Sequence, residues 1–282
     1  MSVAIWGTTW LAIKFQLARV TPEASVFYRF FLGSLLVFAY CFARRLPLRY
    51  SVRQHLWIAL MGIFMFSVSY ICVYYAERHV VSGLVAVGYS ASPLLGMLGL
   101  RVFFGTPVTR RVLAGSILGI AGIALVFWPE FSRLTADGDT ALGALFTMSS
   151  VVVSALGAIV AQRNQREHVP LWQSMAWGML YGSLFSLVVT LALGNPLEFD
   201  ATPAYVLSLL YLTVLGSIIA FGAYLTFLKR VGAARAGYVG VMVPVAALVV
   251  SAVFEGFQWQ LLTGLGVAVS VAGNVIILRK QE

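Results

Sequence analysis

Residues 171–193 read LWQSMAWGMLYGSLFSLVVTLAL, a run of 23 residues without a charged side chain. A helix rises 1.5 Å per residue, so about 20 apolar residues cross the ~30 Å hydrocarbon core of a bilayer. Arg163 and Arg166 stand before the run and Asn195-Pro196 after it, so it is punctuated at both ends. Runs of the same kind fill the chain. Apolar stretches bounded by charges, Pro or Gly predict helices over 2–18, 23–43, 54–75, 80–102, 110–128, 140–161, 171–193, 203–227, 234–254 and 260–278. Pro129 to Asp139 is the longest connection, and Glu130, Asp137 and Asp139 suit it to an exposed acidic loop.

Composition agrees. Of 282 residues, 60% are hydrophobic and 10% charged, with mean hydropathy +0.90. A soluble domain carries roughly a quarter charged residues to face water. The expected fold class is an all-α integral membrane protein of ten transmembrane helices, with nothing left over for a soluble domain. Met1–Ala18 lacks a basic leader and ends without a small-residue cleavage site, so it reads as the first helix rather than a signal peptide.

The net charge of +9 does not point to nucleic acid, because the basic residues fall in short clusters between apolar runs. With the N-terminus placed inside, fourteen Lys and Arg fall in inside loops and three, Arg19, Arg78 and Arg133, in outside ones. By the positive-inside rule both termini are cytoplasmic. Cys41 and Cys72 then lie toward opposite faces, and no disulfide is expected.

A shift of 151 residues superposes Val102-Phe103 on Val253-Phe254, Pro93 on Pro244, Gly105 on Gly256, Gly115 on Gly266 and Ala121-Gly122 on Ala272-Gly273. The chain therefore reads as a duplication, 1–128 and 140–282. A five-helix unit is odd in number, so its second copy enters the membrane from the other side. Arg78 outside and Lys229 inside, a 151-residue pair, agree with two inverted five-helix repeats.

The chain resembles the EamA family of the drug/metabolite transporter superfamily, which includes amino acid and metabolite exporters of the YddG type. The likeness lies in Trp6-Gly7-Thr8-Thr9-Trp10, Pro22 with Tyr28-Arg29-Phe30, Tyr74-Tyr75-Ala76, Ser82-Gly83-Leu84-Val85-Ala86 with Ser92-Pro93, and Pro244 with Phe254-Glu255-Gly256. It covers nearly the whole chain as tandem repeats. It implies a central cavity between the halves and export or exchange of small metabolites by alternating access, in a bacterial inner membrane. The acid closing helix nine is Glu255, while its first-half counterpart is Phe104, so a role needing both acids is not expected.

Several residues could meet a solute. Trp6, Trp10 and Lys14, spaced four apart, share a helix face. A charge at a helix centre costs about 2.5–3.5 kcal/mol, so Lys14 either faces a cavity or snorkels to the interface. Arg29 could clamp a carboxylate bidentately or serve the structure, pairing with Glu77 or backbone carbonyls. His79, beside Glu77 and Arg78, could overlook the cavity mouth, with proton coupling as one possibility and a solvated loop cluster as the other. Ser82, Tyr89 and Pro93 lie on one face of helix four. Pro93 and Pro244 take matching places, as helix breaks do at binding sites between repeats. Tyr74, Trp177, Tyr224 and Tyr238 are further lining candidates. Glu255 either pairs with a cation across the repeats or marks the water boundary.

No enzyme motif, cofactor signature or metal-ligand spacing is present in the sequence. The expected partners are a small solute and membrane lipids, with no nucleic acid, and the chain is expected to be a monomer or weak homodimer. Gly115-x-x-x-Gly119 and Gly178-x-x-x-Gly182 permit close helix packing within or between subunits. The sequence points to a secondary transporter. The alternatives are a membrane-embedded enzyme on a lipid-linked substrate, using the Glu77-Arg78-His79 group, and a passive facilitator or channel.

Overall fold

The computed structural model describes residues 1–91, 95, 98–99, 101–103, 105, 110–132, 139–221, 223 and 238–278. Its regular elements are helical, and no strand occurs among the described residues. We label the helices in chain order: α1 Ser2–Lys14, α2 Pro22–Ala43, α3 Val52–His79, α4 Ser82–Gly88, α5 Arg110–Ser132, α6 Asp139–Arg166, α7 Leu171–Ala192, α8 Pro203–Ile219, α9 Tyr238–Phe254 and α10 Leu261–Leu278. A 3₁₀ turn, Tyr89–Ala91, continues α4.

Local chemistry sets many of the starts. Pro22 and Pro203 stand in the first helical turn, where no backbone N–H is missed. Ser51 and Gln54 form a reciprocal capping box at α3. Asp139 sits in the first turn of α6, where a carboxylate meets the positive end of the helix dipole. The expected acidic loop is accordingly shorter, because α5 runs through Pro129 and Glu130 to Ser132. At the other extreme α1 stops at Lys14 rather than 18. Of the 80–102 and 203–227 spans, helix is described over 82–88, at 95, 98–99 and 101–103, and over 203–221 and at 223; Pro93 and Tyr224 lie outside the described residues.

Two helices depart from α geometry. Phe64–Val68 within α3 and Tyr211–Ile219 within α8 are π-helical. Each wide turn advances the chain without the usual rotation, so the faces before and after it point differently than a 3.6-residue period predicts.

Among the described residues four helices, α2, α3, α6 and α7, are long and apolar enough to cross a membrane. The distribution of polarity is inverted relative to a soluble protein. Leu35, Leu56, Ile117, Leu145, Val188, Leu207 and Val249 are exposed, whereas Gln16, Glu23, Arg29, Glu77 and Asn164 are buried. In water that surface would aggregate; against lipid tails it costs nothing.

The main packing pairs are α2 with α7, α5 with α10, α4 with α9, α1 with α9 and α8, and α3 with α6 and α7. Glycines set the closest crossings, and they do so within the chain. A Cβ on Gly62 or Gly182 would run into the backbone of the facing helix at the α3–α7 crossing, and one on Gly122 would come 2.6 Å from the Gly266 carbonyl oxygen of α10. Between α3 and α7 the buried hydroxyls of Ser67 and Ser186 stand 2.6 Å apart in a hydrogen bond.

Candidate functional site

A cavity of about 310 Å³ lies among α1, α2, α3, α4, α6, α8 and α9. From α1 come Trp6, Thr9, Trp10 and Ile13, which the i, i+3, i+4, i+7 spacing places on one face. The π segment of α3 turns Met65 and Phe66 to the wall, with Tyr70 and Val73 a turn and two turns on. Ala86 and Tyr89 close the α4 side, and Ser154 reaches in from α6. Gly216 in the π segment of α8, Phe221, Val243 and Pro244 complete the far wall.

The wall is braced by aromatic and hydrogen-bonded contacts. Trp6 meets Phe221 edge-on at 5.3 Å between centroids, and Trp10 packs on Tyr89 at 5.1 Å. The Trp6 indole N–H donates to the Gly216 carbonyl at 3.1 Å. Gly216 allows this approach, since a Cβ there would lie 2.8 Å from Cγ2 of Thr9.

Among the described residues of this wall Arg29 is the one charged side chain, and it is 2% exposed. Its guanidinium lies over the Tyr70 ring at 4.7 Å and the Phe30 ring at 5.2 Å. Nη2 donates to the Ser217 hydroxyl at 3.4 Å, while Nε and Nη1 have no partner. Nε1 of Trp10 has none either. Three buried donors without partners are costly unless something else satisfies them. The lining is otherwise apolar and aromatic, so the chemistry on offer suits an amphipathic solute with an acceptor group.

Lys14 does not line this cavity. It ends α1 one residue past Ile13, and its ammonium donates to the backbone carbonyls of Glu77 at 2.5 Å and Val80 at 3.0 Å. It also lies 3.7 Å from the Glu255 carboxylate. Glu255 accepts from the Ser82 backbone N–H at 3.2 Å, from the Ser82 hydroxyl at 2.5 Å, and from the Ser251 hydroxyl. The Ser251 oxygen in turn accepts from Gly83 N–H at 2.8 Å. Residues of α9 thus satisfy the first N–H groups of α4, and one ammonium joins α1 to the α3–α4 turn and to α9. Of the two readings of Glu255, the geometry gives the pairing with a cation.

The other candidates stand elsewhere. Ser82 belongs to that tie. His79 faces a second cavity of about 390 Å³, shared with Thr140, Glu255 and Gln258, and its Nδ1 is 3.2 Å from an Asp139 oxygen. Tyr74 is buried, donating to Gln16 Oε1 at 2.5 Å. Trp177 donates to the Leu48 carbonyl at 3.1 Å and stacks on Tyr181, and it is not among the residues lining the cavity. Tyr238 begins α9. Among the described residues, no three His, Cys, Asp or Glu are grouped to hold a metal. Cys41 and Cys72 are both free thiols.

A chain that buries its polar side chains and turns its leucines outward from long apolar helices is a membrane protein. The particular family follows from comparison. The model of the EamA-like transporter family matches residues 1–128 and again 141–279, and the chain belongs to that family. It is 26% identical over 282 residues to an uncharacterized inner membrane transporter, YedA, of Escherichia coli (strain K12), covering 97% of this chain and 87% of YedA. It is 25% identical over 284 residues to an uncharacterized transporter, YdfC, of Bacillus subtilis (strain 168), with the same coverage of each, 97% and 87%. A solved crystal structure superposes with a TM-score of 0.71 at 19% identity, covering 98% of this chain and 93% of that one, which establishes the shared fold.

Proposed function

We propose that the chain is a secondary carrier that exports or exchanges a small amphipathic, amino acid-like solute by alternating access through the central cavity. The observation that carries this reading is the set of partnerless donors, two on Arg29 and one on Trp10, among aromatic walls. A carboxylate on an apolar or aromatic body satisfies both features at once.

Ten transmembrane helices in two inverted halves, 1–128 and 140–282, are part of the proposal, and several observations support them. The family model matches twice. The π segments at 64–68 and 211–219 overlap under the 151-residue shift. Gly105 and Gly256, another such pair, both adopt left-handed φ, +66° and +69°. The strongest helix pairs support a pseudo-twofold exchange of the halves: α2–α7, α4–α9 and α5–α10 would map onto themselves, and α3–α6 onto α1–α8. With both termini cytoplasmic, the Lys14–Glu255 tie faces outward, and the chain stands closed at that end.

The test is uptake into proteoliposomes. L-Phenylalanine counterflow should saturate, and Arg29→Gln should raise its KM at least tenfold with unchanged protein folding, read by monodispersity. Non-saturating flux would speak for a facilitator or channel, and product formation in detergent from a lipid-linked substrate for an enzyme.

A further inference from the structure

Glu77 stands near the end of α3 where the tie lies, yet its carboxyl group takes no part in it. Its side chain is 1% exposed, and neither carboxyl oxygen has a hydrogen-bond partner. The nearest cation bypasses it: the Lys14 ammonium donates to the backbone oxygen of Glu77 and turns its free side to Glu255. Arg29, whose field also reaches Glu77, faces Ser217, Tyr70 and Phe30. The remaining groups around it are Glu255 from the end of α9 and Tyr74 one turn back on α3. On α6, packed along this part of α3, the acid at this end is Asp139, which pairs with His79. Glu23, equally buried, differs in that its Oε1 accepts the Tyr75 hydroxyl at 2.5 Å.

An ionised carboxylate buried without a partner is far less stable than the same group carrying a proton. We propose that Glu77 is a proton-binding site, protonated while this end of the bundle is closed and exchanging that proton with water when the end opens, so that solute movement is coupled to proton movement. The cover over Glu77 is the Lys14 tie itself, because Lys14 lies on the backbone of Glu77 and Val80. Parting α1 and α9 from the α3–α4 turn wets the carboxyl and passes its proton to the aqueous phase on that side; with that end closed again the carboxyl takes its next proton from the opposite phase, so each cycle carries one proton across. A ligand held more tightly in one state than in another shifts the equilibrium between them, and a proton is such a ligand. The coupling rests on the carrier reading above, whereas the proton on Glu77 does not.

The experiment uses the full chain in two settings. Infrared spectra of the protein in lipid nanodiscs near neutral pH should contain the C=O stretch of a protonated carboxylic acid. Glu77→Gln should remove it, Glu77→Asp should restore it, and Arg78→Gln, at the exposed neighbour, should leave it in place. In vesicles, a pH gradient should drive L-phenylalanine accumulation by the wild type, and Glu77→Gln should cut that at least tenfold. Identical spectra for wild type and Glu77→Gln would overturn the proton site, and accumulation that survives in Glu77→Gln would overturn the coupling. A wild type that exchanges no L-phenylalanine counts against the carrier reading, and the spectrum then decides the proton site by itself.

Discussion

Replacing Lys14 by methionine keeps the length and apolar stem of the side chain and removes its charge. Two charge-assisted hydrogen bonds go, to the carbonyls of Glu77 and Val80, each worth about 1.5–3 kcal/mol when shielded from water. The Lys14 side chain is 30% exposed, and the Glu255 contact at 3.7 Å adds under about 1 kcal/mol at such a site. Solvent competition brings the total to about 2 kcal/mol in favour of the closed end. Every 1.4 kcal/mol is tenfold, so Lys14→Met should raise the population open at the Glu255 end by about thirtyfold. Ala86, fully buried on the cavity wall, offers the readout. In a chain with Cys41 and Cys72 replaced by alanine, Ala86→Cys is exposed to a membrane-impermeant maleimide from the Glu255 side. Lys14→Met should raise the labelling rate by an order of magnitude or more, with Lys14→Arg in between. A rate unchanged within twofold in a monodisperse protein would refute the view that this tie holds the end shut.

Other substitutions separate packing from transport. Gly122→Ala puts a methyl group 2.5–2.6 Å from backbone atoms of Ser270 and Gly266, and should lower stability by about 1–3 kcal/mol; Gly264→Ala meets nothing within 4 Å and should be neutral or stabilising in a thermal shift assay. Trp10→Phe removes a partnerless donor while keeping the stack on Tyr89, so it should weaken solute affinity about tenfold and leave the melting temperature unchanged. Trp177→Phe removes the bond to the Leu48 carbonyl and should cost about 1 kcal/mol of stability with the KM for L-phenylalanine unaltered.

The helical class was legible from hydropathy because lipid and polar interior demand opposite side chains at regular intervals. A helix start was legible where a proline stands, as at Pro203. The Ser51 cap sets the start of α3 ahead of the expected 54 and went unread, and ends that tertiary contacts decide were not legible. α1 stops at Lys14 because its ammonium is drawn onto carbonyls more than sixty residues away. The same contrast runs through the site. Trp6 and Trp10 reach the cavity wall along an ordinary helical stripe, and Arg29 and Pro244 could be singled out as a charge and a break inside apolar runs. Met65, Phe66 and Gly216 could not, since their facing depends on π turns that no residue type announces. Lys14, read as continuing the Trp6–Trp10 stripe, is recruited by Glu255 from the far end of the chain, and Trp177 by a carbonyl of the loop before α3. Serines and threonines of the α3–α7 crossing carried no periodic signal at all.

The π turns also make positions along a single helix unequal to insertion and deletion. Phe64–Val68 holds one residue more than an α-helix needs to join the flanking faces in their present phase. Losing one residue there would leave a plain α-helix with Tyr70 and Val73 still on the cavity wall and Gly62 still against α7. Losing one between Arg53 and Leu60 would turn everything beyond it by about 100°, swinging Gly62 off the crossing and Arg29's aromatic partner Tyr70 toward a neighbouring helix. The wide turn therefore works as a length reserve, a place where the chain can shed a residue without re-aiming the site, and the longer segment at Tyr211–Ile219 extends the same tolerance to the second half.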